Sequence, residues 1–250
     1  MPTTTLARRS FPAGSSALPP VVLLHGFAAD SDEDFVATGW PDALVAAGRS
    51  VEVVDLPGHG RSAAVSGAAA TTAGVVKALS GVVAELDAGG GVDVVGYSLG
   101  ARLAWELPAA TGRVRRLVLG GLSPFEPFAA VDVAAVARAA GGADASADAP
   151  AGPPADPLVG MMAAMVAAPG RDTSSLLALM AGLGSQPFDP AAGGPAVPTL
   201  VAAGVDDVMT TGLEAVAAAL PDAVFVRVPG DHRGALDSAE FRDAAIRFLT

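Results

Sequence analysis

The chain has 250 residues, 51% of them hydrophobic, with 26 acidic and 15 basic side chains and a formal charge of −11. That length suits one α/β domain carrying an insertion, and the charge excludes the concentrated lysine and arginine needed to grip nucleic acid or an anionic membrane surface. The absence of cysteine removes a disulfide framework, a thiolate nucleophile and a Cys-based zinc site. His25, His59 and His232 stand too far apart for metal-ligand spacing, so neither a metal nor a cofactor is expected.

Residues 1–20 hold no apolar core of signal-peptide length, and no stretch approaches the ~20 apolar residues of a membrane span. A cytoplasmic protein with a small-molecule partner is the expectation. Residues 3–20 read as an edge hairpin or a loose lead-in. Residues 21–24 are an apolar run closed by His25 and Gly26, as in a strand buried on both faces. Residues 40–47 have helical character and stop at Gly48. A second strand over 50–56 ends in Pro57, Gly58, His59 and Gly60. Residues 73–86 place Val75, Leu79, Val82, Val83 and Leu86 on one helical face.

A third strand, from Val92, runs into Gly96, Tyr97, Ser98, Leu99 and Gly100, and a helix follows in which Pro108 kinks or ends the turns. Residues 115–120 are a fourth strand. After residue 195 the rhythm resumes: strand 197–203, helix 213–220, strand 223–228 and helix 238–249. The alternation predicts an α/β fold, a mostly parallel twisted sheet with helices on both faces. Residues 123–195 interrupt it with three helical stretches, 131–140, 158–168 and 174–183. Between the first two, 141–157 is low in complexity and expected to be mobile. We therefore expect a core of 1–122 and 196–250 and a helical cap insertion of 123–195. Met161, Met162, Met165 and Met180 fall in the cap, where flexible thioethers suit an adaptable apolar wall.

Gly96 to Gly100 read G-x-S-x-G between a strand and a helix, the context of a nucleophile elbow. Side chains at 96 and 100 would collide with the neighbouring strand and helix. A serine hydroxyl needs a base, and the base needs an acid to hold its tautomer. Asp206 and Asp207 follow one late strand and His232 the next, where a parallel sheet presents its functional loops. Either aspartate fits at this stage. The oxyanion of acyl transfer needs backbone donors, one from the Leu99 amide and one from the loop containing His25, Gly26 and Phe27. His25 is expected to be structural, its ring bonded to nearby backbone.

These segments, together with Asp55, Leu56, Pro57, Gly58, His59, Gly60, Arg61 and Ser62, resemble the α/β-hydrolase fold family over nearly the whole chain. The resemblance favours Asp207 over Asp206, gives the second oxyanion donor to Phe27, and makes Asp55 and His59 structural. Two departures stand out, Pro108 and an Asp231 where the family's histidine loop is richer in glycine. Serine at 98 implies a hydrolase of carboxylic esters or similar acyl bonds, here of a small apolar substrate. The words around Asp55 and Ser98 also resemble the succinyl-hydroxycyclohexadiene carboxylate synthases of menaquinone biosynthesis, lyases in which an arginine at the place of Arg102 binds substrate carboxylate. A third class is a binding protein that keeps the fold without catalysis.

Overall fold

The central strands read as largely apolar runs because both of their faces are covered. The computed structural model describes residues 5–14, 18–87, 89–141 and 156–250. Its strands are β1 (Arg8–Phe11), β2 (Val21–Leu24), β3 (Val51–Val54), β4 (Val92–Tyr97), β5 (Val114–Gly120), β6 (Thr199–Gly204) and β7 (Ala223–Val228). They form one sheet in the order β1-β3-β2-β4-β5-β6-β7. Only β1 is antiparallel, pairing Arg8 with Val54 and Phe11 with Val51. Every residue of β2, β3, β4 and β6 is buried.

The helices are α1 (Trp40–Ala46), α2 (Thr72–Leu86), α3 (Leu99–Ala104), α4 (Leu107–Thr111), α5 (Val133–Ala139), α6 (Pro157–Val166), α7 (Thr173–Gly184), α8 (Leu213–Ala218), α9 (His232–Asp237) and α10 (Ala239–Leu249). Alternate strand residues feed two cores, as a period of two requires. Val22, Leu24, Val94 and Leu117 pack with Val75 and Leu79 of α2 and Leu103 of α3. Val21, Leu23, Val95 and Val118 pack with Trp40 and Leu44 of α1 and with Phe241 and Ala245 of α10. Helices thus cover both faces.

Pro108 takes the first turn of α4, where its missing N–H leaves no bond unmade, and the helical path breaks just before it. Between β5 and β6, α5, α6 and α7 add Val136, Met162, Val166, Leu179 and Met180 to the core on the α2 side. A Cβ at Gly182 of α7 would lie 2.3 Å from the Ala70 carbonyl, so this helix packs directly on the turn before α2. Of the low-complexity stretch, residues 142–155 lie outside the described residues. Among the described residues no helix is long and apolar enough to cross a membrane.

Three local features differ from expectation. Where an edge hairpin or a loose lead-in was expected, residues 8–11 form the edge strand β1, with no second strand beside it among the described residues before Val21. Asp32–Val36 is a π-helical turn, and His232 opens the short helix α9. The turn beginning at Asp30 gathers arginines from across the chain. Arg171 reaches Asp30 at 3.6 Å and Glu33 at 2.5 Å, Arg9 and Arg61 reach Asp32 at 2.5 and 3.7 Å, and Arg233 pairs with Asp34.

Candidate active site

Ser98 joins β4 to α3 with φ 52° and ψ −115°, and with Ala28 it is one of two described non-glycine residues at positive φ. Such a conformation costs on the order of 1–3 kcal/mol and persists only where neighbours enforce it. Its amide donates to the Gly120 carbonyl at 2.8 Å, and its carbonyl accepts the Arg102 amide at 3.0 Å. The flanking glycines are steric necessities. A Cβ at Gly96 would lie 2.4 Å from the Gly100 carbonyl, and one at Gly100 would lie 1.9 Å from that of Leu24.

Two later strand ends bring the other groups. His232 Nε2 lies 3.0 Å from Ser98 Oγ, and its Nδ1 lies 2.7 Å from Asp207 Oδ2. Asp207 is buried, and its Oδ1 accepts the Met209 amide at 3.0 Å. Asp206 points away into solvent, so the structure gathers Ser98, His232 and Asp207 and leaves Asp206 outside. Asp231 is the N-cap of α9. Its carboxylate accepts the amides of Gly234 at 2.8 Å and Arg233 at 3.1 Å, which hold its pKa below the usual value. The missing loop glycine is thereby replaced by a helix cap. Tyr97 donates its hydroxyl to the His232 carbonyl at 2.5 Å, and burial raises its pKa, keeping that proton in place.

The loop after β2 is fixed by two neutral imidazoles. His25 is fully buried, its Nδ1 2.7 Å from the Gly26 carbonyl and its Nε2 accepting the Leu56 amide at 2.9 Å. That assigns the proton to Nδ1. His59 places Nδ1 3.0 Å from the Pro57 carbonyl and accepts the Ala28 amide on Nε2 at 3.1 Å. Burial lowers the pKa of both rings, that of His59 to about 3. With the Gly26 carbonyl held on one side of its peptide plane, the Phe27 N–H must face the other. Neither the Phe27 nor the Leu99 amide donates to another group among the described residues, and Leu99 starts α3, where helix amides are free.

A cavity of about 370 Å³ opens over Ser98 and His232. Phe27, Leu99, Met161, Met162 and Met165 line it, as do Leu122, Phe125, Phe128 and Met209, which the sequence reading passed over. Phe125 and Phe128 sit just past the carboxyl end of β5, a position that could have flagged them. Arg102 also reaches this wall, but its donors are engaged. Nε donates to Glu126 at 2.9 Å, one terminal nitrogen meets Glu106 at 3.5 Å, and the other donates to Thr72 at 3.0 Å and the Gln186 carbonyl at 2.9 Å.

A parallel sheet covered on both faces, with a strained serine at a strand-to-helix turn and an acid and a histidine after later strands, defines the α/β-hydrolase class. The chain belongs to the alpha/beta hydrolase family, whose model matches residues 21–244. Solved structures agree. A hydrolase from Pseudomonas aeruginosa is 25% identical, covering 98% of this chain and 94% of its own with a TM-score of 0.70. A thermophilic esterase from Thermogutta terrifontis is 24% identical over 98% and 95%, with a TM-score of 0.71. MenH from S. aureus is 18% identical over 97% of each chain, with a TM-score of 0.71. No curated protein matches the chain.

Proposed function

We propose that the chain is a serine hydrolase that cleaves a carboxylic ester or related acyl bond of a small apolar substrate. Ser98 attacks the carbonyl, His232 takes and returns the proton, and Asp207 orients the imidazole. The amides of Phe27 and Leu99 receive the oxyanion. The observation that carries this reading is the continuous contact from Ser98 Oγ through His232 to Asp207, at 3.0 and 2.7 Å. Residues 123–195 act as a cap whose methionines and phenylalanines enclose the acyl group, on a core of 1–122 and 196–250. The partner is the small-molecule substrate.

A lyase acting on a carboxylate-rich substrate is the weaker reading. Its arginine would be Arg102, and here that guanidinium is already neutralised by Glu126 and saturated by backbone and side-chain acceptors. The likeness to MenH extends to the fold.

The test is fluorophosphonate labelling of Ser98, followed by turnover of p-nitrophenyl esters of increasing chain length. Labelling lost in Ser98→Ala, and a preference for medium or long acyl chains, are the expected results. Full esterase activity in Ser98→Ala would sink the proposal, and a short-chain preference would remove the cap's part in it.

A further inference from the structure

Asp34 and Arg233 lie in the wall of the cavity, outside the proton relay. Asp34 is 3% exposed. One carboxylate oxygen accepts the Gly26 amide at 2.8 Å, and the other is held by the Arg233 guanidinium. The second terminal nitrogen of Arg233 donates to the Glu33 carbonyl at 2.8 Å, so one side chain grips both the carboxylate and the backbone of the same turn. A Cβ built on Gly26 would lie 3.3 Å from Asp34 Oδ2 and 3.4 Å from Ser98 Cβ, so the carboxylate and Ser98 both border Gly26. Arg233 directly follows His232. The pair therefore joins the backbone that presents the Phe27 amide to the backbone that presents the base.

Charge decides what the pairing is for. Acyl transfer places a negative charge on the substrate oxygen, and a bare carboxylate beside an apolar cavity would oppose it. Of the other carboxylates in contact with the site, Glu126 is paired with Arg102, and Asp207 gains a cationic partner when His232 takes the serine proton. We infer that Arg233 is a positioning residue that neutralises Asp34, so that Asp34 can hold the Gly26 amide, and with it the Phe27 peptide, without repelling the anionic intermediate. The inference rests on the serine-hydrolase reading.

Arg233→Ala should lower kcat for p-nitrophenyl butyrate about tenfold with KM unchanged, below the 10²–10³ of losing an oxyanion donor because the guanidinium is half exposed. The same variant should weaken, by a similar factor, a boronic acid that becomes tetrahedral on Ser98. Adding Asp34→Asn keeps an acceptor for Gly26 and removes the charge. The double variant should recover to within about threefold of wild type, the coupling expected of residues in contact. Arg233→Lys keeps the charge and should stay near wild type. A double variant no better than Arg233→Ala, a lysine variant as slow as the alanine one, or a loss confined to KM would each overturn the inference. Wild-type protein that neither hydrolyses esters nor reacts with fluorophosphonate sinks the hydrolase reading and this inference together. A normal wild type beside an indifferent Arg233→Ala sinks only the inference.

Discussion

At the residue scale, the burial of Asp207 beside the exposure of Asp206 separates two carboxylates that are neighbours in sequence. Asp207→Asn should reduce kcat by about 10⁴, by analogy with triads whose acid loses its charge and holds the wrong tautomer. Asp206→Asn should leave kcat unchanged, and steady-state kinetics on both variants checks the assignment. Gly100→Ala is a second case. Its methyl would sit 1.9 Å from a backbone carbonyl of β2, which cannot swing away, so the variant should fail to accumulate as folded protein, as read by circular dichroism. Ser98, His232 and the elbow glycines were legible because each lies in a short word tied to a strand end, whereas the word after β6 held both Asp206 and Asp207 and only the family resemblance favoured the second. Asp34 and Arg233 were not, since 199 residues separate them and neither neighbourhood hints at the other.

At the scale of elements, the buried strands announced themselves as apolar runs, and α2 and α10 by their single apolar faces. β1 did not, because its alternating exposure carries two arginines whose partners Glu52, Glu85 and Asp32 come from elsewhere. Helix α9 is six residues long and is set by the Asp231 cap, too brief for periodicity to speak. The loop after β2 makes a prediction of its own. His59 has a folded pKa of about 3 against 6.5 unfolded, so below pH 6.5 the unfolded chain binds a proton that the folded one refuses. Stability from this group is complete above pH 6.5 and is lost as pH falls toward 3, at about 1.4 kcal/mol per unit. Burial lowers the His25 pKa and acts in the same direction. Between pH 7 and 4.5 the unfolding free energy from urea titration should drop, and His59→Asn should flatten that drop by about 2–3 kcal/mol.

At the scale of the whole molecule, a buried ion pair ties the segment after β5 to the helix that follows Ser98. Arg102 on the elbow helix grips Glu126 after β5, whose carboxylate also accepts the Phe128 and Phe188 amides at 3.3 and 3.4 Å. Arg102→Ala strands a buried carboxylate and should cost about 3–5 kcal/mol of stability, measured by chemical denaturation. The acidic turn from Asp30 to Asp34 has a different consequence. Its arginines stand at positions 9, 61, 171 and 233, so no partial chain can assemble it. A polypeptide emerging from the ribosome carries Ser98 134 residues ahead of His232, and Arg233, which holds Asp34, arrives one residue later. Under the proposed serine-hydrolase reading, a nascent chain that ends before His232 should therefore show no esterase activity, a silence that ribosome-stalled truncations would read directly.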